Sequence, residues 1–185
     1  MTGGTGDDRV WVFGYGSLIW RPAMAYAARR AGRITGWQRR FWQSSTDHRG
    51  TALAPGRVLT LVEAEGQVWG MAYAIARDAW PGIEAALEVR EQQGYARLTV
   101  DIGLAAGERA GEIVDRVPGL VYLATARNPY FVGPEPVERT AEIIAGAHGP
   151  SGRNLDYVLE LERALAAMDA HDPEVSAVAA HLPRH

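Results

Sequence analysis

One acid in this chain stands in a position suited to proton transfer. It lies in E-V-R-E-Q-Q-G-Y, residues 88–95. Glu84, Glu88 and Glu91 fall at i, i+4 and i+7, on one face of a helix predicted over residues 79–93. Glu84 and Glu88 read as an ordinary solvated face. Glu91 differs, because it falls in the last turn before Gly94, a residue type that commonly ends helices. The negative end of the helix dipole disfavours a carboxylate charge there, so the acid holds its proton more tightly. That is what a general acid/base needs at neutral pH.

The second feature is V-W-V-F-G-Y-G-S-L-I-W, residues 10–20. An apolar run breaks at Gly14-Tyr15-Gly16-Ser17 and then resumes. A dinucleotide fingerprint needs a third glycine and a helix, but Ile19 occupies that place and Trp20-Arg21-Pro22 starts a helix poorly. A phosphate loop needs lysine, and the chain has none. Two readings stay open at this level. One is a strand-end turn, given the turn preferences of Gly and Ser. The other is a nest of backbone amides that accepts an anion, for which a carboxylate suffices.

Other chemistries fail on residue type or spacing. There is no cysteine, which removes disulfides, thiolate nucleophiles and thiolate metal sites. The absence of lysine removes Schiff-base catalysis. His181 and His185 have helical ligand spacing but no third partner nearby, so no metal site is expected. Ser17 lacks the second flanking glycine of a nucleophile elbow, so no Ser-His-Asp triad is expected. His48 lies in the polar loop S-T-D-H-R-G, residues 45–50, which by itself reads as surface.

These residues need a scaffold. The chain has 185 residues, 47% apolar and 22% charged, with net charge −3, and reads as soluble and globular. No basic stripe points to nucleic acid, and no apolar run approaches the ~20 residues of a membrane span. Cytoplasmic residence is the expectation. Residues 1–9 read as a flexible polar tail and residues 10–185 as a single domain. Strands are predicted near residues 10–14, 32–44, 57–64, 67–75, 95–103 and 112–125. Residues 57–64 and 67–75 are expected to form a hairpin across Glu65-Gly66. The helix over 79–93 is expected to carry Ile83, Ala86, Leu87 and Arg90 on one side and to end at Gly94. Helices near 135–147, 153–168 and after Asp172-Pro173 close the chain. The class is α+β, a curled or barrel-like mixed sheet with helices outside.

Taken in order, several blocks resemble one family. They are V-F-G-Y-G-S-L-I-W (12–20), R-R-F-W-Q-S-S-T-D-H-R-G through P-G-R-V-L-T-L-V-E (39–63), V-W-G-M-A-Y-A-I (68–75), R-E-Q-Q-G-Y (90–95), A-T-A-R-N-P-Y-F-V-G-P-E-P (124–136) and G-P-S-G-R-N (149–154). The chain resembles ChaC-type γ-glutamylcyclotransferases, of the branch acting on glutathione. The resemblance covers residues 10–165 or so. It implies a small mixed β-barrel with flanking helices, the γ-glutamylcyclotransferase-like fold. It also implies a lyase-type cyclisation that releases 5-oxoproline and cysteinylglycine, with no cofactor and no metal. By position in R-E-Q-Q-G-Y, Glu91 matches the family's catalytic glutamate. Tyr15, Gly16, Ser17 and Leu18 match the loop that holds the substrate α-carboxylate. His48 and Arg49 are expected to border the site, with a role at the glycyl end of glutathione a further possibility.

Two departures matter. The family commonly reads N-P-x-Y-L-G-P, whereas this chain has Phe131 at the tyrosine position and Tyr130 one place early. Tyr130 is therefore a candidate to replace the lost hydroxyl. Gln92 stands where lysine is frequent, a minor change. Arg153 and Asn154 are expected to cap the helix that follows, or else to face the pocket. Two alternatives keep the scaffold: action on other γ-glutamyl amino acids or amines, and a non-catalytic regulatory glutathione-binding protein.

Overall fold

In the computed structural model, which describes residues 8–90 and 94–183, strands fill the first two thirds and helices close the chain. The elements run β1 (Arg9–Gly14), β2 (Ala28–Ser45), β3 (Gly56–Ala76), α1 (Trp80–Arg90), β4 (Ala96–Ala105), β5 (Ile113–Leu123), α2 (Val137–Gly146), β6 (His148–Gly149), β7 (Gly152–Arg153), α3 (Asn154–Ala167) and α4 (Pro173–Ala180). The first five strands close a barrel in the order β1-β3-β2-β4-β5, and β6 and β7 make a separate small ribbon. Neighbours in the barrel are antiparallel except β1 and β5, which pair in parallel at Val12 and Leu120. The expected α+β barrel with flanking helices is what forms.

The expected hairpin does not form. Residues 56–76 are one continuous strand, and both halves pair with β2. Thr35 pairs with Gln67 and Trp37 with Glu63, so residues 64–66 of β3 bulge opposite the single residue Gly36. Gly36 takes φ +81°, a left-handed conformation that favours glycine. The Gln38 side chain closes the bulge by donating to the Glu65 carbonyl at 2.6 Å. Gly66 thus marks a bulge that bends a long ribbon, rather than a reversal of the chain. A bend of this kind helps a long two-stranded ribbon curl into a barrel.

Strand alternation sorts the core into two clusters. Trp11 and Phe13 join the main core, with Ile34, Phe41, Leu61, Ile102 and Val121 from the barrel and Ile144, Val158, Leu161 and Val175 from α2, α3 and α4. Val12 faces the other way. It meets Leu18, Ile75, Tyr122 and Leu87 of α1, with Ile83 and Trp80 alongside. Helix α1 therefore packs on the segment just after β1. Of its expected core face, Leu87 is buried and Ile83 half-buried, while Ala86 is exposed.

One buried cation ties these layers together. Arg39 of β2 is 1% exposed. Its Nε donates to the Tyr15 carbonyl at 2.8 Å, and Nη2 donates to the Trp69 carbonyl of β3. Nη1 pairs with Asp172 Oδ2 at 2.9 Å. Burial pulls the Arg39 pKa down, and Asp172 opposes that shift. Asp172 also caps α4, its Oδ1 accepting from the amides of Glu174 and Val175 at 3.1 and 3.2 Å, with Pro173 at the first helical position. Removing one partner of a buried pair leaves the other charge stranded. Asp172→Ala is accordingly expected to lower the unfolding free energy by about 3 kcal/mol or more. Urea unfolding should show a lower midpoint at unchanged slope. A loss below about 1 kcal/mol would class the pair with ordinary surface ion pairs.

Candidate active site

The segment after β1 forms a tight turn. Residues Ser17–Ile19 make a single 3₁₀ turn, in which the Ile19 amide donates to the Gly16 carbonyl at 2.9 Å. The amides that open such a turn have no acceptor within it. The turn needs its glycines for close approach. A Cβ on Gly14 would lie 2.7 Å from Leu18 Cβ, and one on Gly16 would lie 3.0 Å from the Tyr157 hydroxyl. Three contacts hold the turn from behind. Arg39 fixes the Tyr15 carbonyl, Tyr73 donates to the Leu18 carbonyl at 2.5 Å, and Leu18 packs with Leu87.

Helix α1 is bound to the same turn by a charged contact. Arg90 donates from Nη2 to Ser17 Oγ at 2.8 Å. From Nη1 it donates to the Arg21 carbonyl at 3.0 Å and the Pro22 carbonyl at 3.4 Å. Glu91, the next residue, lies outside the described residues. Gly94 takes φ +73°, consistent with its reading as a helix terminator. Glu84 pairs with Arg97 of β4, and Glu88 approaches the same guanidinium at 3.8 Å. Glu84 thus links α1 to the barrel at the surface, while Glu88 stays exposed as expected.

The turn lines a cavity of about 380 Å³. Tyr15, Gly16, Ser17 and Leu18 contribute to its wall, as do His48, Arg49 and Arg90. The sequence singled out the first six of these as substrate-contacting. The volume suits a small, extended ligand. Among the described lining residues Arg21, Arg49 and Arg90 outnumber Asp47, which favours an anion there.

The loop carrying His48 and Arg49 is tightly built. The Arg49 amide donates to Ser45 Oγ at 2.9 Å, and the Ser151 amide donates to the His48 carbonyl at 2.9 Å. A Cβ on Gly149 would fall 2.2 Å from that same carbonyl, so the β6–β7 ribbon can approach only through glycine. His48 Nδ1 lies 3.2 Å from Ser151 Oγ and Nε2 lies 3.6 Å from Asp47. The Arg49 guanidinium donates to the Arg153 carbonyl at 3.2 Å and sits 5.6 Å from the Tyr157 ring centroid. Burial lowers its pKa, opposed in part by nearby groups led by Tyr157. Tyr157 bridges two sides of the cavity, with its hydroxyl beside Gly16 and its ring against the Arg49 guanidinium.

Several lining residues had no sequence signal of their own. Tyr122 is buried in the apolar run of β5 on the face it shares with Val12 and Leu87, and burial raises its phenol pKa, with Arg97 opposing. It remains protonated at neutral pH and can donate a hydrogen bond. Tyr95 and Tyr157 also line the cavity. A polar tip on an otherwise apolar strand or helix face is the clue that could have marked Tyr122 and Tyr157.

Two expectations are not met. Tyr130 does not reach the cavity lining. Residues 128–132 run along the edge of β2, where the Ser44 amide donates to the Tyr130 carbonyl and the Val132 amide to the Trp42 carbonyl, both at 2.8 Å. That pairing leaves Tyr130 exposed, while Phe131 packs edge-on against Trp42. Nor do Arg153 and Asn154 cap α3 with their side chains. Asn154 is fully buried and pairs with the Arg57 backbone, accepting from its amide at 2.6 Å and donating to its carbonyl at 2.8 Å. An amide side chain offers both functions, so it substitutes for a neighbouring strand. Arg153 pairs with Asp156 at 2.8 Å on the surface.

Tyr73 gives this architecture a pH signature. Burial pushes its pKa up to about 12 from the ordinary 10. Across that window the unfolded chain binds fewer protons than the folded one. The stability tied to Tyr73 is therefore complete below pH 10 and falls as pH rises through 12. Urea midpoints measured up this range should drop more steeply in the unaltered protein than in Tyr73→Phe; equal slopes would contradict the assignment.

Comparison with known proteins matches the geometry. A family model for ChaC-like proteins matches residues 10–184. The chain is 38% identical over 203 residues to the glutathione-specific γ-glutamylcyclotransferase of Saccharomyces cerevisiae, covering 88% of each chain. It is 38% identical over 177 residues to glutathione-specific γ-glutamylcyclotransferase 1 of Homo sapiens, covering 94% of this chain and 78% of that one. It superposes on the crystal structure of the selenomethionine-labelled glutathione-specific γ-glutamyl cyclotransferase from yeast with a TM-score of 0.84 at 32% identity, covering 96% of this chain and 99% of that one. Among the described residues no helix is long and apolar enough to cross a membrane.

Proposed function

The chain belongs to the ChaC-like family, and from that premise we propose that it is a glutathione-specific γ-glutamylcyclotransferase. The observation that carries this reading is the glycine-built turn at residues 15–18, opening on an arginine-rich cavity and locked to the helix that leads into Glu91. These features support reading the turn as a grip for a carboxylate, with Glu91 as the base.

The reaction needs no nucleophile from the protein. The α-amine of the γ-glutamyl group attacks its own γ-amide carbon. Glu91 accepts a proton from that amine as the new C–N bond forms. The tetrahedral intermediate collapses by breaking the bond to the cysteinyl nitrogen, and Glu91 returns the proton to that leaving amine. The products are 5-oxoproline and cysteinylglycine, with no water consumed. The protein contributes orientation, which can supply up to about 7–11 kcal/mol in good cases. Amides of Gly16, Ser17 and Leu18 with the Ser17 hydroxyl hold the α-carboxylate and so place the adjacent amine. The Tyr122 phenol is a candidate donor to the developing oxyanion. His48 and Arg49 face the cysteinylglycine portion, where Arg49 is suited to its terminal carboxylate. The substrate is a small soluble molecule, and we take the compartment to be the cytoplasm.

The test is incubation with glutathione and assay of 5-oxoproline and cysteinylglycine. Both should form in equal amounts. Glu91→Gln should lower kcat by about 10²–10⁴-fold, the usual contribution of a positioned proton carrier. Unchanged activity in that variant would remove Glu91 from the mechanism, and tight glutathione binding without product would favour a regulatory protein. Faster turnover of γ-glutamylalanine than of glutathione would reassign the substrate. Gly16→Val places a branched side chain against the Tyr157 hydroxyl, and should abolish turnover although Glu91 is intact.

A further inference from the structure

Arg90 donates to three oxygens at once, Ser17 Oγ and the carbonyls of Arg21 and Pro22. Arginine has five N–H donors and no acceptor. In its contact with Arg90, Ser17 must therefore accept. Its own hydroxyl proton is left to be donated, and Ser17 lines the cavity. A serine whose oxygen is engaged by a cation is also the stronger donor, because the pull on its lone pair polarises the O–H bond. The other two contacts clamp the backbone just after the 3₁₀ turn, so the guanidinium sets both the position and the polarity of the hydroxyl. A planar fork suits this, since its nitrogens reach separate acceptors in fixed directions.

We propose that Arg90 is a positioning residue of the anion grip, which holds Ser17 as a hydrogen-bond donor to the ligand carboxylate. The inference rests on the functional reading above. Arg90 acts on the carboxylate through Ser17 and takes no part in proton transfer. Its loss removes ground-state and transition-state binding together. The expected signature is a raised KM with kcat little changed.

The experiment is a double-mutant cycle of Arg90→Met and Ser17→Ala, read in glutathione kinetics and in calorimetric binding of two ring compounds. These are 5-oxoproline, which carries the carboxylate, and 2-pyrrolidinone, the same ring without it. Each single variant should raise KM and weaken 5-oxoproline on the order of tenfold, the scale of one hydrogen bond to a charged group. The double variant should be no worse than either single one, because both remove the same interaction. Binding of 2-pyrrolidinone should be the same in all four proteins. Multiplying losses, equal weakening of both ring compounds, or a fall in kcat with KM unchanged would each overturn the assignment while leaving the cyclotransferase reading intact. Absence of glutathione turnover in the unaltered enzyme would overturn that reading, and this inference with it. Thermal melts confirm folding, and if Arg90→Met does not fold, Arg90→Lys takes its place in the cycle. A lysine ammonium cannot span the three acceptors in the same directions, so the same non-additivity is expected from it.

Discussion

A buried guanidinium is the constraint from which the rest of this molecule follows. Arg39 can be tolerated in the core only if each face of its charged group finds an acceptor. It finds the Tyr15 carbonyl in the loop after β1, the Trp69 carbonyl in β3 and the Asp172 carboxylate at the start of α4. Those partners lie in three parts of the chain. Satisfying one cation therefore forces the loop after β1, the long ribbon and the terminal helix into a single arrangement. The turn after β1 is held from behind by this charge and by the Tyr73 hydroxyl.

The site in front of that scaffold is economical in catalytic groups. Intramolecular attack supplies its own nucleophile, so a chain without cysteine or lysine loses nothing needed for this chemistry. What the reaction demands is that a flexible γ-glutamyl chain be folded back and one proton be carried across a short distance. The turn at residues 15–18 lines a cavity that also carries Arg21, Arg49 and Arg90. Helix α1 packs on that turn through Leu18 and Leu87 and through Arg90. Tyr157, beside Gly16 and Arg49, ties α3 to the same turn.

The places where sequence reasoning erred share a cause. Glu65-Gly66 reads as a turn because glycine beside a polar residue between two apolar runs is what hairpins use. A bulge uses the same residues, and only the 18-residue partner strand β2, passing both halves, decides between them. Tyr130 looked like a displaced hydroxyl because its neighbour had lost one. Edge pairing with β2 sets its direction instead, and that pairing is a long-range contact invisible in the local motif. Asn154 looked like a cap because of its place before a helix. Its partner, the Arg57 backbone, is 97 residues away.

By itself the sequence determined what is local in cause or carried by ordered motifs. It established the class and barrel, the order of strands and helices, the Asp172-Pro173 start of α4, the family, and the glycine-built turn at residues 15–18. Each follows from side-chain periodicity, from a residue's own backbone preferences or from the succession of motif blocks. The tertiary structure alone decided how distant residues complete one another. It turned Arg39 into a brace and Arg90 into the partner of Ser17, and it brought Tyr122 and Tyr157 to the cavity. Buried charges and hydroxyls must be satisfied by whatever the fold brings within about 3 Å, and no local pattern records which residue that will be.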